Sequence, residues 1–376
     1  MQINRRQWLA GMGAGAAAAL AGPAPLFARS SRRFFKDAIV IDGLGGIGDP
    51  YGEDGVTRLS ARGWEELRAS GVTATRITAM PVGNDVDAWA QFEAFMDDFE
   101  SFVGANPDRF LVVREAGDIR KAKASGRMGI VYGTQDTAMV GSALDRLAAM
   151  KERGIRSVQL TYNNRNLAGD GAIEPDNAGL SKLGRATIER IEAERLLLDL
   201  SHGGARTMAE AAAAATRPLV ISHTGARALQ DHPRNTADAT MRAVADKGGV
   251  VGLYFMPYLS ADMIPTGEVL LDHADHMLRV LGEDHIGIGT DNGPVPPQMT
   301  PENRKAWDEN QQMRIDTGIA APGEKIGFYP IVEDYNSIDR LERFADALAK
   351  RGWTQRQLEK LLGLNFLRVY GEAWSG

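Results

Sequence analysis

From residue 34 onward, short apolar runs alternate with stretches in which apolar residues recur every three or four positions. The runs are AIVIDG (38–43), VTATRITA (72–79), MGIVYGTQD (128–136) and SVQLTYN (157–163). LLLDLSH (196–202), PLVISHT (218–224), GGVVGLYF (248–255) and HIGIGTD (285–291) follow. Most are apolar with little alternation, the pattern of strands covered on both faces. Between them, residues 89–104, 142–153, 181–194, 206–214 and 272–281 read as amphipathic helices. Eight strands alternating with helices predict a (β/α)8 barrel, with a doubly wound open sheet as the competitor. Several strands stop at a polar residue or a glycine, which favours the barrel, because barrel sites are built at the C-terminal rim.

One region is out of scale. Residues 292–334, including GPVPPQMTPENRKAWDENQQM and GIAAPGEKIGFYP, are long for a loop. The segment suggests a lid over the barrel mouth; a surface excursion or an oligomer contact is the alternative. The remainder, residues 34–376, reads as one barrel domain.

The polar rim carries the candidate chemistry. The fifth run ends in Asp199-Leu200-Ser201-His202 and the sixth in Ser222-His223. Two imidazoles on adjacent strand ends can share a metal or a substrate. The last run ends in Thr290-Asp291, where a carboxylate can act as acid, base or ligand. Arg234 and Asn235 follow His232-Pro233, and an arginine fork at a barrel mouth suits a substrate carboxylate. His273 and His276 are spaced i, i+3 on a helix and are expected on a solvated face, while His285 opens its strand at the end away from the rim.

Composition narrows the classes. There are no cysteines, so disulfides, thiolate metal sites and cysteine nucleophiles are excluded; any transition metal falls to the six histidines and the carboxylates. A formal charge of −6, with no basic run beyond the N-terminal segment, argues against nucleic acid. Residues 1–28 read as a twin-arginine export signal: Arg5-Arg6, Trp8-Leu9, a weakly apolar Ala/Gly run, then Ala28. The apolar run is shorter than the roughly 20 residues that span a bilayer. A periplasmic mature protein without a membrane span, acting on a small molecule, is the expectation.

LLLDLSH, VISHTGARALQDHPRNTAD, HIGIGTDNG and RGWTQRQLEKLLGLNFLRVY together resemble the renal (membrane) dipeptidase family, in order from about residue 38 to 370. The resemblance implies an amidohydrolase-like barrel whose members hydrolyse dipeptides with two zinc ions and are often dimers, so a homodimer is an option here. It implies that His202 and His223 correspond to second-zinc ligands, Asp291 to the acid/base aspartate and Arg234 to the arginine that holds the substrate carboxylate.

The chain departs from that pattern at one side of the site. In DGLGG, Leu44 stands where the family has a histidine ligand and Gly46 where it has an aspartate. Gln135 replaces the bridging glutamate, and Tyr162 replaces a histidine that contacts the substrate. No histidine precedes His202, so a shift in register restores nothing. Leucine and glycine side chains offer zinc no donor, and a neutral glutamine neither bridges two metals well nor offsets their charge. The expected cofactor is none, or one zinc on His202 and His223 with Asp291 or Asp136 as third ligand, and not two. Three readings stay open: acid/base chemistry (lyase or isomerase, or an atypical hydrolase) by His202, His223, Asp291 and Tyr162, with Arg234, Asn235 and Gln135 binding an anionic or aromatic substrate; amide hydrolysis with one zinc; and a non-catalytic binder.

Overall fold

The computed structural model describes residues 34–52, 56–83, 87–297 and 299–375. Residues 1–28, where an export signal is expected, lie outside the described residues. Among the described residues nine parallel strands form: β1 (Ile41–Asp42), β2 (Ala74–Ala79), β3 (Phe110–Val112), β4 (Met128–Thr134) and β5 (Ile155–Gln159), then β6 (Leu197–Asp199), β7 (Val220–Thr224), β8 (Val250–Leu253) and β9 (Ile286–Ile288). The order is β1-β2-β4-β5-β6-β7-β8-β9, with β3 paired to β4. The ends meet: Gly43 N donates to Ile288 O at 2.8 Å, Asp291 N donates to Leu44 O at 2.8 Å, and Gly45 bridges Asn292. The fold is the expected eight-stranded barrel. All eight apolar runs overlap a barrel strand, β5 starting two residues before its run; β3, three residues lying outside the ring, is too short to have left a periodic signal.

The helices are α1 (Ala61–Ala69), α2 (Ala88–Gly104), α3 (Ala116–Ser125), α4 (Arg146–Glu152), α5 (Lys182–Ala193) and α6 (Ala205–Ala214). Then come α7 (Asp238–Asp246), α8 (Gly267–Leu281), α9 (Pro301–Asp316), α10 (Arg340–Lys350), α11 (Gln355–Glu359) and α12 (Asn365–Trp374). Their periodicity is what seats them. In α2, Phe92, Met96, Phe99 and Val103 fall on one stripe and are buried against the strands.

Two apolar cores result. One lies between the strands and the helices around them. The other fills the lower barrel interior, where inward-facing Ile41, Ala74, Val131, Leu197, Val220 and Val250 meet Phe366, Val369 and Tyr370 of α12. The last helix therefore plugs the barrel floor. A Cβ on Gly43 would lie 2.3 Å from Phe366 Cζ, so the absence of a side chain at 43 is what admits the plug.

Above the plug the interior turns polar. Arg76 of β2, only 1 % exposed, forms an ion pair with Asp199 of β6, and its second terminal nitrogen donates to Thr134 O at 2.5 Å. Gly133 makes room for it, since a Cβ there would sit 2.4 Å from Arg76 Nε. At the C-terminal end, α9 and residues 319–324 reach the rim. Arg314 Nη1 donates to Tyr162 Oη at 3.1 Å, while the carbonyls of Ile319 and Pro322 bond Asn163 and His232.

Candidate active site

His202 and His223 project from the ends of β6 and β7, both buried, with ring centroids 4.9 Å apart. Tyr162, just past β5, stacks on His202 at 4.2 Å and 23°. Hydrogen bonds fix which nitrogen of each imidazole carries its proton. Asn163 Nδ2 donates to Ile319 O, so its Oδ1 is the atom 2.7 Å from His202 Nδ1 and must accept from it.

His223 is set by a longer chain of contacts. Burial works against a charge on Asp199, but the Arg76 guanidinium and the bonds from Ser222 and Ser201 override it and hold this carboxyl below its usual range. Asp199 is therefore an acceptor, and Ser222 Oγ spends its single proton on Asp199 Oδ2 at 2.6 Å. The 2.8 Å contact between Ser222 Oγ and His223 Nδ1 then requires the ring to donate. Both histidines carry the proton on Nδ1. Both Nε2 atoms are buried lone pairs with no hydrogen-bond partner among the described residues. Burial first, then the positive charge of Arg234, holds both rings well below the ordinary histidine pKa, so they are neutral at neutral pH.

Arg234, in the loop after β7, is 3 % exposed, and neither Nη1 nor Nη2 has a hydrogen-bond partner among the described residues. Its guanidinium carbon lies 5.8 Å from the Tyr258 ring centroid, and its charge is felt at His202, His223 and Asp291. Asp291 follows β9. Burial lifts its carboxyl to about 6, against the opposing pull of Arg234 and Arg314. His202 (φ 63°) and Asp291 (φ 59°) both occupy the left-handed region, which non-glycine residues rarely adopt.

The structure thus brings His202, His223, Tyr162, Arg234 and Asp291 together. It does not bring in the other two candidates in the same way. Asn235 spends its side chain within the protein: Nδ2 donates to Gln230 O and Tyr258 O, and Oδ1 accepts from Tyr254 Oη at 2.5 Å. Gln135 Nε2 donates to Thr78 Oγ1 at 2.7 Å, across to β2.

The expectation of a solvated face for His273 and His276 is overturned. His273 is buried; its Nδ1 accepts from Ala226 N at 3.0 Å and its Nε2 faces Leu259 O at 3.1 Å, tying α8 to the loops after β7 and β8. His276 Nε2 contacts Asp238 at 2.9 Å. Asp272 and Asp275 beside them give this stretch of α8 its polar reading, while the histidines themselves serve as hydrogen-bonding staples. His285 contacts Gly249 O with Nδ1, away from the rim as expected.

Sequence reasoning missed the supporting residues. Asn163 had no distinguishing signal. Arg314 and Glu324 lie in the long insertion, where Arg314 Nε and Nη2 grip Glu324 at 2.9 and 3.0 Å. Arg76 and Asp199 were legible in principle: opposite charges inside two strands otherwise buried on both faces imply a pair.

The donor set does not fit a pair of metal ions. At the end of β1, Leu44 is packed at 1 % exposure, and a Cβ on Gly46 would meet nothing nearer than Gly293 Cα at 3.9 Å. Gln135 is neutral. Among the described residues, no group of three or more His, Asp or Glu side chains is arranged to hold a metal.

The profile of the membrane dipeptidase family (peptidase family M19) matches residues 59–302, well over half of the chain. The chain belongs to that family. It is an enzyme of the membrane dipeptidase family on an amidohydrolase-like barrel. Among curated relatives, the dipeptidase TcpJ of Claviceps purpurea is 26 % identical over 70 % of this chain and 56 % of its own length, so the chain spans little more than half of that protein. The dipeptidase VerJ of Clonostachys rogersoniana is 24 % identical over 76 % of this chain and 67 % of its own length. Among solved structures, an amidohydrolase from Pseudomonas aeruginosa superposes with a TM-score of 0.77 and 28 % identity, covering 92 % of this chain and 99 % of that one. A metallopeptidase from Rhodobacter sphaeroides, solved with a phosphinate mimic of L-Ala-D-Ala, shares the fold at a TM-score of 0.71 and 20 % identity over 90 % of this chain and all of its own. Among the described residues, no helix is long and apolar enough to cross a membrane.

Proposed function

We propose that this family member moves protons on a small molecule bearing one anionic group, as a lyase or isomerase does, without a pair of metal ions. The observation that carries the reading is the conjunction of two neutral imidazoles with bare Nε2 atoms and one unpaired, buried guanidinium. A guanidinium with two free edge nitrogens receives a carboxylate in parallel hydrogen bonds. The imidazoles, already neutral, accept a proton from the bound molecule. Asp291 is a second acceptor once ionised.

The acid is Tyr162. Arg314 donates to its oxygen, so the phenol's own proton is not consumed in that bond and can be given to a leaving or rearranging group. Leu44 supplies an apolar wall that suits an aromatic substrate. The Arg5-Arg6 segment supports delivery of the mature enzyme to the periplasm.

A second reading, amide hydrolysis with one zinc, has one observation in its favour. Nδ1–H tautomers backed by Asn163 and Ser222 are the form in which Nε2 binds a metal. Chelation separates the two. With turnover measured on carboxylate-bearing substrates and on dipeptides, the first reading expects activity to survive chelator at unchanged rate. Inhibition reversed by added zinc would refute it. His202→Ala is expected to abolish turnover while leaving ligand binding on Arg234 intact, which also eliminates a mere binder.

A further inference from the structure

We propose that Asn163 is a positioning residue that ties the proton placement on His202 to the docking of residues 319–324. The proposal rests on His202 acting through its Nε2 lone pair, as in the function proposed above. Asn163 is fully buried between two partners. Its Nδ2 gives a proton to Ile319 O and its Oδ1 takes one from His202 Nδ1, each at 2.7 Å. A carbonyl only accepts, so the docked Ile319 dictates which way the amide faces. The amide in turn dictates that His202 holds its proton on Nδ1, away from the pocket.

The segment is held by further buried ties. His232, stacked on Tyr258, faces Pro322 O with Nε2 at 2.8 Å. Tyr258 Oη donates to Glu324 at 2.6 Å, and Arg314 links Glu324 to Tyr162. Without the Ile319 carbonyl, nothing prevents the Asn163 amide from turning over. Its NH2 then faces His202 Nδ1, which must become the acceptor, and the proton appears on Nε2, where the lone pair was. One amide rotation converts the pocket-facing nitrogen of His202 from acceptor to donor. Docking of the segment therefore switches the base on.

Two substitutions dissect the link. Asn163→Asp keeps an acceptor for His202 but opposes a carboxylate to the Ile319 carbonyl. Asn163→Leu removes both bonds. The readouts on the intact protein are the 15N imidazole signals of His202 and hydrogen exchange of the amides of Ile319, Ala320, Ala321 and Glu324, all hydrogen-bonded in the structure. Asn163→Asp is expected to retain the Nδ1–H tautomer while exchange at these amides speeds up at least tenfold. Asn163→Leu is expected to speed exchange, shift the His202 proton toward Nε2 and lower kcat by about 10–100-fold with little change in KM. An unchanged tautomer in Asn163→Leu, or unchanged exchange in Asn163→Asp, would overturn the proposal. Should Asn163→Leu not fold, the exchange result in Asn163→Asp decides alone. Tautomer and exchange are read without substrate, so loss of the acid/base reading to a zinc-dependent one leaves this test standing.

Discussion

The two sides of the barrel mouth are built differently. At the ends of β6 and β7, each imidazole is backed by a dedicated acceptor, and the chain of contacts behind His223 runs through Ser222 and Asp199 to Arg76 on the far side of the barrel. At the ends of β1 and β4, Leu44 packs as core, Gly46 leaves space, and Gln135 bonds to a neighbouring strand. One side has its ligand-type nitrogens oriented; on the other, Leu44, Gly46 and Gln135 carry no charge, and the nearby carboxylates of Asp42 and Asp136 are taken up by hydrogen bonds from Thr290 and from Gly83, Thr137, Ala138 and Asn166. The two sides of the rim therefore differ in how their side chains are held: hydrogen-bonded imidazoles on one, packed or strand-bonded neutral residues on the other.

The sharpest way to break this contrast is to rebuild the silent side. Leu44→His, Gly46→Asp and Gln135→Glu combined place an imidazole and two carboxylates opposite His202 and His223, and Gly46 has room for the added side chain. Elemental analysis is expected to find at least one more zinc per chain than in the unaltered protein, with dipeptide hydrolysis appearing. No gain in metal would mean that the missing ligands are not what sets the two sides apart.

Next in size is the support behind His223. Arg76→Met leaves Asp199 buried without its counter-charge, which costs about 3–5 kcal/mol and is read as a lowered midpoint in chemical denaturation. A loss within the range of an ordinary surface substitution would show that the polar interior is not an anchored unit.

The smallest effect is a pH limb. Asp291 is lifted to about 6, so its base form accumulates as pH rises through that value, and the rate is expected to rise with it and then level off. Asp291→Asn removes the limb. Persistence of the limb in that variant would assign it to another group, since His202 and His223 are held neutral well below this range.

The barrel was legible because its strands are covered on both faces and so are largely apolar up to the rim. His202, His223 and Asp291 were singled out as candidates by their place there, and Arg234 by its place in the loop after β7. What the chain hid was connectivity. Asn163 matters because a carbonyl 156 residues away in sequence fixes its amide. His273 looked solvated between Asp272 and Asp275, yet it is buried against two loops that only the tertiary fold brings there. Periodicity reports which face is covered; it carries no information on which distant backbone atom does the covering.

The plug at the barrel floor has a consequence for biosynthesis. Phe366 follows all nine strands in the chain, so while the protein emerges from the ribosome the inward faces of Ile41, Ala74, Val131 and Leu197 are wetted until the final helix is released and swings beneath them. Chaperone dwell time on nascent chains, and the solubility of truncations ending before residue 365, should both track that late sealing step.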